Sequence, residues 1–126
     1  MRLAVRPVLP FAGAEQVSGE AIEARYKVKS KACFACTIPC SRFLRVEDAR
    51  FPGLRLEGPE FEPLAGFTAR VGNGDLALGV KCVDLANRYG LDAISLSEVI
   101  SWAMECTQRG LLSCDEADVD ALAAYL

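Results

Sequence analysis

Three cysteines stand close together in this chain, at Cys33, Cys36 and Cys40, and no histidine occurs in its 126 residues. Three thiols on a turning backbone can grip three corners of one compact inorganic unit, as iron–sulfur clusters require. Zinc also accepts thiolates, although zinc fingers usually offer two separated pairs of ligands. The third alternative is that the cysteines pack as small apolar side chains. The missing histidine excludes Ser-His-Asp and Cys-His nucleophiles, Cys2His2 zinc sites and haem bound by histidine.

A cubane iron–sulfur cluster needs a fourth ligand from the protein. The chain has three further cysteines that could supply it. They lie in helices predicted below or at their caps: Cys82, Cys106 and Cys114. Cys106 stands on an apolar face and is interpreted as a core residue. Five basic residues flank the three-cysteine motif, either as a solvated face or as compensation for cluster charge: Lys27, Lys29, Lys31, Arg42 and Arg45.

The cysteines and the net charge indicate the cellular compartment of the protein and the classes of partner that it can bind. Arg6, Pro7 and Pro10 interrupt any apolar export signal, and no run approaches the roughly 18–20 apolar residues of a membrane span. A reducing cytoplasm is therefore expected, with no membrane partner. The net charge of −3 also argues against a nucleic-acid partner. The charge is uneven, since residues 1–45 hold eight cations against three acids.

Hydrophobic periodicity and capping residues predict a mainly α chain that forms a single domain or a fragment, 1–126. Residues 1–17 are an irregular lead-in, and 18–45 hold a helix over 19–28, capped by Ser18, and the cysteine loop, turn-like around Pro39. Glycine and proline divide residues 46–72, which are predicted as loop with short strands.

Three helices are predicted over residues 73–126. Asn73 is the predicted cap of the first, which ends at Gly90. Capping boxes at Ser95–Glu98 and Ser113–Glu116 open the other two. The helix that opens at Ser95 is predicted to end at Gly110. It carries Val99, Trp102 and Met104, which a chain of this size cannot cover, so self-association or a partner chain is expected.

Several blocks, in order and spacing, resemble the tungsten-pterin enzymes of the aldehyde ferredoxin oxidoreductase family. The blocks cover about residues 17 to 112 and are Val17-Ser-Gly-Glu20, Ala32-Cys-x2-Cys-Thr-Ile-Pro-Cys-Ser-Arg42, Gly58-Pro-Glu-Phe-Glu62, Asn87-Arg-Tyr-Gly-Leu-Asp-Ala-Ile-Ser95 and Trp102-Ala-Met-Glu-Cys106 through Gly110. Members of this family are several times longer. The chain resembles the early part of their helical region, domain 2, with a cysteine loop and a short irregular β-prone middle.

The resemblance implies a set of cofactors and site residues. Cys33, Cys36 and Cys40 would be three ligands of a [4Fe–4S] cluster whose fourth ligand lies beyond this chain. The complete enzyme would hold a tungsten or molybdenum bis-pterin. Asp92 would contact a pterin, within a block that also includes Asn87, Gly90 and Leu91. The family has aspartate where this chain has Asn87, which keeps an acceptor but loses the charge.

The resemblance also implies that Glu60 or Glu62 handles a proton near the metal. Each of these residues has a purely structural alternative. Asp92 would favour a helix dipole, Gly90 would end a helix, and the two glutamates would form the polar side of a short strand.

Three functions are consistent with the sequence. The first is a segment or subunit of an oxidoreductase that converts small aldehydes to carboxylic acids and passes electrons to ferredoxin, together with the missing domains or a partner chain. The second is a stand-alone iron–sulfur electron-transfer or metal-binding module without catalysis. The third is a helical interaction domain with a zinc or empty cysteine site. The Gly-Pro-Glu and Gly-Leu-Asp blocks favour the first, and the missing domains argue against activity of this chain alone.

Overall fold

The computed structural model describes residues 11–112. After a 3-10 turn over Ala14–Val17, the elements follow in the order α1, three strands and three further helices. Their bounds are α1 Gly19–Tyr26, β1 Lys27–Lys31, β2 Ser41–Arg45, β3 Arg55–Glu57, α2 Phe61–Phe67, α3 Leu76–Arg88 and α4 Ala93–Gln108. The third helix predicted for the last part of the chain lies outside the described residues.

The three strands form one antiparallel sheet in the order β1-β2-β3. Leu44 of β2 pairs with Leu56 of β3, and both are buried, whereas the residues beside them in each strand are not. Side chains alternate between the two faces of a strand, so the sheet has one face on the core and one outer face.

The core lies between the inner face of the sheet and the helices. Its buried members come from β2, β3, all four helices, the 3-10 turn and the residues next to the strands. They are Val17, Ile22, Leu44, Val46, Leu54, Leu56, Leu64, Phe67, Leu76, Ala77, Val80, Val83, Ala86 and Ala93. Burial of side chains as large as Ile22 or Leu44 contributes roughly 1.5–3 kcal/mol each.

Two predicted helix boundaries are confirmed by their capping bonds. The Ser18 hydroxyl accepts a hydrogen bond from the Ala21 N–H at 3.1 Å, and α1 begins at the next residue. Gly90, in the left-handed conformation at φ 68°, follows the end of α3. The Leu91 N–H then donates to the Ala86 carbonyl at 2.9 Å, which completes the helix cap.

Two predicted caps were wrong by a few residues. Asp75 rather than Asn73 caps α3, since its carboxylate accepts from the Leu78 N–H at 3.1 Å. The Asn73 side chain instead accepts from the Asp75 N–H and so shapes the turn before the helix. Helix α4 begins at Ala93 and not at Ser95, because Asp92 is its cap.

The interpretation of residues 46–72 as loop with short strands missed α2. Pro63 stands in the first turn of this helix, where backbone N–H groups have no partner within the helix in any case. A proline at this position therefore does not break a helix. Helix α1 was also predicted too long, since β1 begins at Lys27.

Candidate functional site

The three clustered cysteines lie on the loop of residues 32–40 that joins β1 to β2. The pairing of Lys31 with Ser41 closes this loop at its base. The Cys36 N–H donates to the Cys33 carbonyl at 3.0 Å, and the Cys40 N–H donates to the Ile38 carbonyl at 2.9 Å. These bonds form two successive turns, as the sequence predicted for the segment around Pro39.

All three thiols of this loop are free and exposed. The apolar side chains beside them, Phe34 and Ile38, are exposed as well. Within residues 11–112, no three thiol or carboxylate side chains are arranged to hold a metal ion. The loop supplies three thiolate donors, the set that iron–sulfur clusters use, but their side chains are not drawn together around one point.

A backbone feature accompanies the first pair of cysteines. Ala35, between them, has a φ of 58°, and no other described non-glycine residue has a positive φ. This left-handed conformation costs an alanine roughly 1–2 kcal/mol. The loop therefore turns sharply between Cys33 and Cys36.

The remaining described cysteines belong to helices. Cys106 of α4 is only 8% exposed, which confirms its interpretation as a core residue. Cys82 of α3 is partly buried, and this burial raises the pKa of its thiol. Cys114 lies outside the described residues.

A cavity of about 490 Å³ lies beside the base of the cysteine hairpin. It brings together three of the sequence blocks quoted above, which are far apart along the chain. The first contributes Val17 to Glu20, the second contributes Arg42, and the third contributes Pro59, Glu60 and Phe61. Apolar side chains of Ile22 and Leu64 complete much of its lining.

The two candidate glutamates are at the start of α2, so the strand alternative for them was wrong. Glu60 is the N-cap residue and lines the cavity, but its carboxylate makes no capping hydrogen bond. Glu62 is exposed in the first turn of the same helix and is not part of the cavity lining. The structure therefore separates two residues that the sequence could not distinguish.

Arg42 and Glu20 are charged residues of this cavity that the sequence analysis did not single out as site residues. Two bonds, from its own backbone N–H and from the Ser18 hydroxyl, lower the pKa of Glu20. Arg42 had been considered only as one of the basic residues around the cysteines. Its position directly after the Cys-Ser pair was the available signal, but only the folded structure shows that it lines a cavity together with residues of α1 and α2.

The four candidate pterin contacts lie together at the corner between α3 and α4. Asn87 lies in the last turn of α3 and Gly90 follows the helix, with the Gly90 N–H donating to the Asn87 carbonyl at 3.2 Å. Asp92 accepts a hydrogen bond from the Ser95 N–H at 2.6 Å, and the Ser95 backbone and hydroxyl together lower its pKa. Leu91 between them is exposed. The structural roles proposed as alternatives for Gly90 and Asp92 are thus both present, and they leave this corner open to solvent.

Comparison with known proteins identifies the family. The model that describes domains 2 and 3 of aldehyde ferredoxin oxidoreductase matches residues 5–123. The chain belongs to this family. Curated relatives named tungsten-containing aldehyde ferredoxin oxidoreductase include one from Pyrococcus horikoshii, 38% identical over 106 residues, and one from Thermococcus kodakarensis, 36% identical over 107 residues. Each alignment covers 84% of this chain and 17% of the relative.

A third relative with the same name, from Pyrococcus furiosus, is 35% identical over 109 residues, which are 86% of this chain and 17% of that protein. The resemblance found in the sequence is therefore confirmed, and so is the mainly α fold class with a small β portion. The chain spans about one sixth of the length of these relatives. Among the described residues, no helix combines the length and apolar character that crossing a membrane requires.

Proposed function

We propose that this chain is the cluster-binding segment of a tungsten- or molybdenum-pterin oxidoreductase that converts aldehydes to carboxylic acids and passes electrons to ferredoxin. One observation carries the proposal. Three separate blocks shared with the family line a single cavity beside the hairpin that presents three free thiols. A stand-alone electron-transfer module has no use for such a cavity.

Cys33, Cys36 and Cys40 would hold three corners of a [4Fe–4S] cluster in this proposal. The loop is suited to the task because its thiols are exposed and its two ends are fixed by the β1–β2 pairing. The fourth ligand would come from outside this chain. Thiolate ligation requires reduced cysteines, so the proposal includes assembly in the cytoplasm.

The pterin-bound metal would supply the two-electron oxidation when the complete enzyme holds it. Glu60 would take up a proton from the hydrated aldehyde, because its carboxylate lines the cavity and makes no capping bond. Glu62, exposed in the first turn of the same helix, is the alternative proton acceptor. Asp92, with Asn87, Gly90 and Leu91, would contact a pterin at the α3–α4 corner, and Asn87 would do so as a neutral donor and acceptor.

Anaerobic reconstitution with iron and sulfide tests the cluster. We expect the chain to bind iron and sulfide and to give a [3Fe–4S] EPR signal or a labile [4Fe–4S] cluster, since one ligand is missing. Iron binding should be abolished in the triple variant Cys33→Ser/Cys36→Ser/Cys40→Ser. Cys82→Ser is the matched control and should leave it unchanged. Stoichiometric zinc without iron in the purified chain would contradict the proposal.

The catalytic part of the proposal has a separate test. The chain alone should not reduce benzyl viologen with any aldehyde, because it lacks most of the length of the family's enzymes. The activity should appear only with the missing domains or partner chain, and in that assembly Glu60→Gln should reduce turnover by about 100-fold or more. Glu62→Gln provides the comparison: a small effect of this change would assign the proton to Glu60, and a larger loss than in Glu60→Gln would assign it to Glu62.

A further inference from the structure

The outer face of the three-stranded sheet carries a concentration of positive charge. We call it the basic face and define it by Lys29, Lys31, Phe43, Arg45, Arg55 and Glu57. Phe43 pairs with Lys29 on one side and with Glu57 on the other, and Arg45 pairs with Arg55. The buried pair of Leu44 and Leu56 lies between these pairs on the opposite face. Four cations thus share this surface with one carboxylate.

The pairing of Arg45 with Arg55 is the unusual part of this surface. The two residues are directly opposite each other on neighbouring antiparallel strands, and both are exposed. Across residues 11–112, neither guanidinium forms an ion pair with an acidic side chain. Like charges at directly opposite positions destabilise a sheet. The pairing of Arg45 with Arg55 therefore does not stabilise the folded chain.

The other cations of the basic face are only partly compensated. The Lys31 ammonium lies 2.9 Å from the Glu57 carboxylate, so this pair is neutral. The Lys29 ammonium lies 6.0 Å from the centre of the Phe43 ring, at the outer limit of a cation–π contact. Lys29, Arg45 and Arg55 are left as an excess of positive charge around an aromatic ring.

The basic face and the cysteine loop share the strands β1 and β2. Arg45 follows Cys40 by five residues along β2, which corresponds to about 17 Å at the usual rise of a strand. Lys31 precedes Cys33 by two residues at the other end of the loop. A protein bound to the basic face would therefore contact the surface that leads directly to the three thiols.

We infer that the basic face docks an acidic electron-transfer protein, and this inference rests on the proposed function. Carboxylates of the partner would each accept two hydrogen bonds from an arginine, the geometry in which guanidinium groups bind most strongly. Complementary charge also speeds and orients such encounters. A nucleic acid is a poorer candidate because the chain as a whole has a net charge of −3.

Binding of the full chain to a strongly acidic [4Fe–4S] ferredoxin tests the inference. Association is measured by calorimetry at low ionic strength, and the contact surface is mapped from amide chemical shifts. The double variant Arg45→Gln/Arg55→Gln should weaken binding by about tenfold. Arg45→Lys/Arg55→Lys keeps the charges and should retain most of the affinity.

A control with the same change in net charge separates the site from a general charge effect. Arg25→Gln/Arg109→Gln removes two exposed arginines from α1 and from the end of α4, and should change the affinity by less than about twofold. Equal weakening by the two double variants, or shifts that map away from β1 to β3, would overturn the inference. So would an oligodeoxynucleotide that binds the same face as tightly as ferredoxin.

A separate measurement on the same samples tests the proposed function. Iron and sulfide content shows whether the loop holds a cluster. A chain that holds its cluster but does not bind ferredoxin through Arg45 and Arg55 would refute only the docking surface. A chain without a cluster would refute the proposed function, whatever its affinity for ferredoxin.

Discussion

Gly66 of α2 lies against Ser97 of α4 so closely that a Cβ atom added to Gly66 would stand 2.6 Å from the Ser97 Cβ, and closer still to its hydroxyl. Both residues are buried, and the Ser97 hydroxyl donates to the Ile94 carbonyl at 2.8 Å, which holds the side chain in place. Glycine is therefore required at position 66 for its small volume and not for its backbone freedom. This contact sets how near α2, with its cap residue Glu60, lies to α4.

Gly66→Ala should destabilise the chain by about 1–3 kcal/mol, because the added methyl group forces the two helices apart. Urea unfolding followed by circular dichroism measures the loss. Gly74→Ala is the matched control, since its nearest new contact would be 3.8 Å away, at the Gln16 side chain. A Gly66→Ala variant as stable as Gly74→Ala would show that the helices can separate without cost.

Asp75 should make stability depend on acid pH. The hydrogen bond from Arg50 at 2.5 Å is the main reason that the pKa of Asp75 is lowered, and the Leu78 N–H also contributes, while burial opposes both. Because the folded pKa is below the unfolded value of about 3.9, the carboxylate stabilises the fold fully above that value. This contribution is lost as the pH falls through the folded pKa.

The corresponding measurement is the unfolding temperature of the chain and its variants between about pH 7 and pH 2. Asp75→Asn keeps an acceptor for the helix cap but removes the charge, so it should flatten the acid limb of the profile. Arg50→Gln should flatten it further, because Arg50 also binds Asp48 and lowers the pKa of that carboxylate. An unchanged acid limb in both variants would show that the Arg50–Asp75 pair does not contribute to stability.

The cysteines should fall into two classes of reactivity. Cys33, Cys36 and Cys40 are exposed and should be alkylated first, whereas Cys106 is buried and Cys82 has a raised pKa that leaves less thiolate at neutral pH. Iodoacetamide labelling of the metal-free chain, resolved by peptide mass spectrometry, gives the order. Labelling in denaturant is the control and should remove the difference. Cys82 reacting as fast as Cys36 would contradict the burial described for α3.

Helix α4 should make the isolated chain self-associate. Val99 and Trp102 are one turn apart, and 60% and 63% of their surfaces are exposed. Sedimentation velocity should show oligomers whose fraction grows with concentration, and Val99→Ser/Trp102→Gln should shift the chain toward monomer. Phe61→Ser, which removes an exposed aromatic side chain from α2, should have less effect. A stable monomer at all concentrations would contradict this prediction and support a complete domain.

The sequence predicted most reliably those elements that depend on local bonds. Ser18 and Gly90 mark helix ends because each satisfies backbone groups of its own neighbourhood. Helix α2 was missed because Pro63 and Gly66 normally interrupt helices. The proline is harmless in the first turn, and the glycine is needed for a contact that the local sequence does not reveal.

One part of the candidate site could be predicted from the sequence and the other could not. The cysteine loop was predictable because its three thiols are close in the sequence and a turn between two strands suffices to expose them. The cavity was not, because Glu20, Arg42 and Glu60 are far apart in the sequence and come together only in the folded chain. Periodicity and spacing describe single elements, and they contain no information on which elements meet.

None of residues 32–40 belongs to the hydrophobic core, and the loop is held only by the strands on either side of it. The fold of the described residues therefore does not depend on the three thiols of this loop. A descendant that lost its three clustered cysteines would keep the same helices, sheet and cavity. Under the proposed function, a set of three thiols that persists in such a chain would mark continued use of the loop rather than a requirement of folding.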